Sequence, residues 1–176
     1  MGLEILAGRM VAPEFGSSIY TWGSIIGGFL AALSLGYYRG GRRAERASNE
    51  RLVRLLLATA GYVAVLVFAG DLLLEAAAVV PLPARFASLP AITLLFGPPT
   101  YLLGFVSPYA AELSRKEGIG EASGHVYAVG TVGSIVGAFG ATFVLVPTLS
   151  VGSSNFFFGA LLVVAAVLVD SPSPSR

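Results

Sequence analysis

The chain has 176 residues, 55% of them hydrophobic and 12% charged, with a formal net charge of +1 and no cysteine. A soluble domain carries about a quarter charged residues; half that share, with a mean hydropathy of +0.79, argues against water as the main solvent. The missing cysteines exclude disulfides, thiol nucleophiles and thiolate metal sites, and nothing in the charge balance calls for a nucleic-acid partner.

A bilayer core of roughly 30 Å needs about 20 helical residues. The opening "MGLEILAG" is apolar but short, either the last turns of a span or an interfacial start. No basic segment precedes an apolar core, so it does not read as a signal peptide. "RMVAPEFGSS" follows, with Pro13 and Gly16 as turn formers. Ile19 to Tyr38 carries no charge and reads as a span; "RGGRRAERASNER" is then a strongly basic loop. Leu52 to Val80 is long, with Arg54 near its start and Asp71 and Glu75 near its end, so Leu55 to Gly70 is its buried part. "PLPARFASLP" breaks the chain. Ala91 to Ala110 is the next span, in which Pro98 and Pro99 mark a kink. After the polar loop "ELSRKEGIGEASG" come a span from Gly124 to Val146, a turn from Pro147 to Ser154 and a last span from Asn155 to Val169. The expected fold is all-α: a polytopic helical membrane bundle of five full spans plus a partial first helix. Residues 1–169 form one transmembrane domain, and 170–176 a disordered cytoplasmic tail.

Orientation follows from Lys and Arg, which stay on the cytoplasmic side. Arg39, Arg42, Arg43, Arg46, Arg51 and Arg54 cluster around one loop. Arg115, Lys116 and Arg176 fall on the same side, and only Arg9 and Arg85 on the other. A multi-pass cell-membrane protein with a cytoplasmic C-terminus is expected.

"GTVGSIVGAFGATF" places Gly130, Gly133, Gly137 and Gly140 on one helix face. In lipid, small residues let helix backbones approach closely. Gly23 and Gly27, in "WGSIIGGFLAALSLG", repeat the device. Both faces are expected in tight helix contacts, the two spans with each other as one option; a substrate path lined by the glycines is the alternative.

Ionisable residues at membrane depth are functional candidates. Glu4 leads, with Arg9 as its potential partner; a functional role and a structural ion pair both remain open. Glu14, Asp71 and Glu75 join Glu4 near the outer half, where four carboxylates would attract a polycation or simply face water. Trp22 is a candidate stacking surface or a belt aromatic. His125 reads as an interfacial cap. Arg39, Arg42, Arg43 and Arg46 set topology, bind anionic lipid headgroups or dock a soluble partner. No nucleophile–base pair, metal cluster or phosphate loop is visible, so no cofactor and no metal are expected.

Glu4 and Arg9, Ala12-Pro13, Phe15-Gly16, Ser18, Trp22, the Gly27 region, and Gly36 with Gly40-Gly41 form a combined pattern. "FGPPTYLLGFVSPYAAEL" and "SGHVYAVGTVGSIVGAFGATFVLVP" extend it. Over Met1 to Val169 the chain resembles the transmembrane domain of the spermidine-synthase-like membrane proteins, fused major-facilitator/spermidine synthase proteins. The basic loop also looks like the loop between the second and third helices of major facilitators. The resemblance implies a first helix starting some residues before Glu4, and a soluble aminopropyltransferase-like domain of Rossmann type after the spans. Neither that domain's glycine-rich motif nor its acidic catalytic loop is in this sequence. The chain is therefore expected to be non-enzymatic by itself, anchoring or serving a separate soluble partner on the cytoplasmic face. The alternative is a transporter-like protein for polyamines or other cationic amines. Six helices equal half a major facilitator, so transport would call for dimerisation.

Overall fold

The computed structural model describes residues 1–114 and 119–171, so Arg115, Lys116 and Arg176, and residues 172–176 of the expected tail, lie outside it. Its long elements are α1 (Gly2–Phe15), α2 (Ile19–Gly41), α3 (Asn49–Ala78), α4 (Ser88–Leu103), α5 (Val106–Leu113), α6 (Ile119–Gly140) and α8 (Val151–Asp170). A 3-10 turn, Ala44–Arg46, joins α2 to α3; a π turn, Ala141–Leu145, and the one-turn α7 (Val146–Thr148) continue α6. The described residues contain no strand, and the fold is the expected all-α bundle. Five segments are long and apolar enough to cross a membrane: Ile19–Gly41, Asn49–Ala78, Ser88–Leu113, Gly120–Thr148 and Val151–Asp170. Large apolar side chains cover their outsides, Phe68 being 86% exposed and Tyr127 75%. Such a surface suits hydrocarbon, where it costs nothing to leave uncovered.

Helix starts follow local chemistry. Ser18, Ser48 and Ser150 are the N-caps of α2, α3 and α8, each accepting a hydrogen bond from the backbone N–H three residues on. That satisfies one of the donors a helix N-terminus leaves free. The reversal between α1 and α2 falls at Gly16, with φ at 71°, a backbone conformation that favours glycine. The sequence placed the turn from Pro13 onwards; α1 instead runs through Pro13 to Phe15.

Interior polar groups close on their own helices. The Ser24, Thr59 and Ser154 hydroxyls donate to the carbonyls of Tyr20, Leu55 and Ser150, four residues back, the usual solution for a hydroxyl in apolar surroundings. Prolines free other carbonyls. Pro98 cannot donate to Leu94, and the Tyr62 hydroxyl of α3 fills that vacancy at 2.7 Å. The α4 backbone therefore passes Pro98 and Pro99 as helix. Its interruption comes later, at Gly104 and Phe105, because Pro108 removes the N–H that would have bonded the Gly104 carbonyl.

Helix pairing runs α8 to α3, α3 to α4 and α4 to α2, with α1 inserted against α2, α3, α4, α6 and α8. Leu6, Ala7 and Val11 of α1 are buried, Ala7 and Val11 in one cluster with Ile25, Leu66, Ile92 and Phe96. Phe29 and Phe96 stack across the α2–α4 contact at 5.8 Å. A second cluster joins α3, α5 and α8 at the arginine end through Leu52, Leu56, Phe105, Tyr109 and Ala166.

The tight contacts fall on other glycines than expected. A Cβ on Gly36 would lie 2.4 Å from the Tyr101 carbonyl oxygen, and one on Gly104 2.7 Å from the Gly36 Cα. There α2 and α4 cross backbone to backbone. Gly23, Gly27, Gly130, Gly133 and Gly140 face open space, and Gly137 meets only the Gly2 backbone, at 3.4 Å. The expected packing face is thus corrected within the chain. Small residues permit close approach but do not select a neighbour, and α6 makes at most a marginal contact with α2. Every residue from 127 to 133 is exposed, so that stretch has no face against the bundle. Helix α6 meets α5 at the arginine end and α1 towards the other.

Candidate functional site

Two regions hold the candidate residues. The first surrounds α1. Its 14 residues span about 21 Å at ~1.5 Å each, less than a bilayer core. The Arg9 guanidinium donates through Nη1 to the carbonyls of Val146, at 2.6 Å, and Leu149, at 2.7 Å. These are terminal carbonyls of the long α6–α7 helix, with no intrahelical N–H to receive. A charged donor suits the negative end of that helix.

The expected pairing of Arg9 with Glu4 is therefore corrected. Five residues at 100° each carry the two side chains to different faces of α1; among the described residues no ion pair joins them. Glu4 is half-buried and lies one turn from Gly8 on the same face. Trp22 of α2 covers Gly8: a Cβ there would lie 2.7 Å from the Trp22 ring. Trp22 is thus engaged as a packing surface against α1 and joins the core cluster. Glu14, Asp71 and Glu75 are exposed near the end away from the arginines, and Glu14 lies about 15 Å along α1 from Glu4. Asp71 follows Gly70, whose Cα is covered by Met10 of α1. His125 is exposed. Among the described residues no group of acidic or histidine side chains could hold a metal ion.

The second region is the arginine end. Arg39, Arg42, Arg43, Arg46, Arg51 and Arg54 are all exposed. Arg39 lies over the Tyr101 ring at 5.6 Å and donates to its hydroxyl at 3.3 Å; Arg42 does the same to Tyr38 one turn back, at 5.7 and 3.3 Å. Cation–π contact fixes both guanidiniums beside aromatic faces. Arg51 donates to the Arg46 carbonyl at 2.8 Å, tying the 3-10 turn to α3, and Arg54 is ion-paired with Glu50. Behind this rim a groove of about 570 Å³ runs between α3 and the α4–α5 junction. A smaller one of about 350 Å³ lies between α2, α5 and α6, lined by Tyr37, Ser107, Ser123 and Tyr127 among others.

The sequence did not single out Tyr62 or Asn155. Asn155 is 1% exposed, its Nδ2 4.0 Å from the Met10 sulfur and its Oδ1 without a hydrogen-bond partner. At the start of an apolar span, with no partner nearby in sequence, it gave no signal of its own.

Fold and site define a polytopic helical protein with a strongly basic end. Compared with protein-family models, curated proteins and solved structures, the chain matches none.

Proposed function

We infer that the chain is a non-enzymatic membrane module, with its arginine end in the cytoplasm, that anchors a separate soluble aminopropyltransferase-like protein. The carrying observation is the exposed set of six arginines gathered at one end, of which only Arg54 is ion-paired among the described residues. Such a surface attracts an acidic partner and holds it in register. The resemblance to the membrane domain of spermidine-synthase-like proteins supplies the partner's class, and the positive-inside rule supplies the orientation. Purification of the tagged chain from its native membrane at low salt is expected to retain a soluble aminopropyltransferase-like protein. Arg39→Gln with Arg42→Gln is expected to release it. A preparation that never retains a protein of that class overturns the reading.

A second reading, transport of a small cationic amine, rests on Glu4. It is half-buried in an apolar helix with no ion-pair partner among the described residues, and such carboxylates mark cation pathways. Liposome uptake of a labelled polyamine, lost in Glu4→Gln, is the expected result under this reading. Equal uptake by the variant, or none by the parent chain, sinks it.

A further inference from the structure

The groove between α3 and the α4–α5 junction joins two chemistries. Its rim carries Arg43 and Arg46 from the 3-10 turn region and Arg51 and Arg54 from the first turns of α3. Its wall is Leu55, Ala58, Leu102 and Phe105, with Tyr101 and Tyr109 beside them. Rim and wall follow one another along α3: Arg51, Arg54 and Leu55, then Ala58, occupy one face at helical spacing. Ala58 lies about 10 Å further along the axis than Arg51, deep enough for the upper part of an acyl chain.

Electrostatics favours an anion at the rim. The N-terminus of α3 is itself the positive end of a helix dipole, where basic side chains are disfavoured. Four guanidiniums nevertheless meet there, and Glu50 neutralises Arg54 alone. Glu45 lines an adjoining surface with Arg39, Arg42, Arg43 and Arg46, so one carboxylate faces four guanidiniums and the cluster keeps a positive excess. Arg46 and Arg51 are held together through the Arg51 bond to the Arg46 carbonyl. Guanidiniums present paired N–H donors that match phosphate oxygens.

We propose that this groove is a binding site for an anionic phospholipid, the phosphodiester seated among Arg43, Arg46, Arg51 and Arg54 and one acyl chain lying along Leu55, Ala58 and Leu102. Basic pockets between helices at the membrane surface take such headgroups. The wall distinguishes the lipid from free phosphate: a water-soluble anion leaves the apolar floor uncovered. Arg42 packs on Tyr38 outside the groove lining, while Arg39 lies over Tyr101 at the groove's edge, so a docked protein meets the groove's margin and not its floor.

The test is native mass spectrometry of the full chain in detergent with phosphatidylglycerol, cardiolipin or phosphatidylcholine. Retention of the two anionic lipids at least tenfold above phosphatidylcholine is expected. Arg51→Ala with Arg54→Ala is expected to remove that preference, and Arg42→Gln to leave it intact. Because loss of arginines can alter insertion, Ala58→Trp is the second variant: it fills the wall, keeps every charge and is expected to lower retention as strongly. Glycerol phosphate at a hundredfold excess is expected not to displace the lipid. Equal retention of charged and zwitterionic lipids, an unaffected Ala58→Trp variant, or displacement by glycerol phosphate each overturns the proposal.

Discussion

Tyr62 and Arg9 do the same work at opposite ends of the problem that a membrane sets for backbone carbonyls. Pro98 strips Leu94 of its helical donor, and Tyr62 supplies one; the end of the α6–α7 helix leaves Val146 and Leu149 without donors, and Arg9 supplies both. In water such groups would be hydrated. In hydrocarbon each unsatisfied carbonyl costs several kcal/mol, although measured interhelical bonds contribute less because alternatives are found. Tyr62→Phe is therefore expected to lower stability by about 0.6–1.7 kcal/mol, read from the unfolding midpoint in mixed detergent micelles. The prolines were visible in the sequence as the cause of missing bonds. The remedy at Pro98 was not, because its donor comes from a residue 32 positions from the carbonyl it serves, whose approach only the packed bundle determines. The same distance hid the fate of Arg9: its spacing from Glu4 was readable, but the carbonyls it serves lie more than 130 residues on.

Between elements, α2 and α4 cross backbone to backbone, and that crossing depends on Gly36 and Gly104. Gly36→Ala sets a methyl group against the Tyr101 carbonyl, so the helices must move apart. An overpacking cost of about 1–3 kcal/mol is expected. Gly133→Ala enters open space and is expected to leave the unfolding midpoint unchanged or slightly higher, since alanine is the better helix former. If both variants behaved alike in the same unfolding experiment, the assignment of the packing glycines would fail. Helix identity was legible: apolar length and charge spacing located every span, with ends shifted by a few residues where serine caps and prolines decided them. Helix partnership was not legible. Glycine spacing marks a face, and Gly36 and Gly104 stood as single glycines among many, whereas the regular series in α6 drew attention and meets almost nothing.

For the whole molecule, the alternation of spans places residues 42–48 at one end and the short links at 16–18 and 149–150 at the other. The absence of cysteine makes this directly measurable. With the arginine end inside, a membrane-impermeant maleimide added to intact cells is expected to label Ser17→Cys. It should reach Ala44→Cys only after permeabilisation; the reverse pattern would invert the orientation and move the lipid groove to the other leaflet. The basic end was legible from arginine counting alone, but the apolar wall beneath its rim needed α3 and the α4–α5 junction side by side. Helix α6 bears on the molecule's mechanics. It is a beam supported near its ends, by α5 at one and α1 at the other, with nearly two turns between them that no neighbour braces. Among the described residues nothing interlocks with that stretch, so in a bilayer the acyl chains themselves would lie along it as its lateral support.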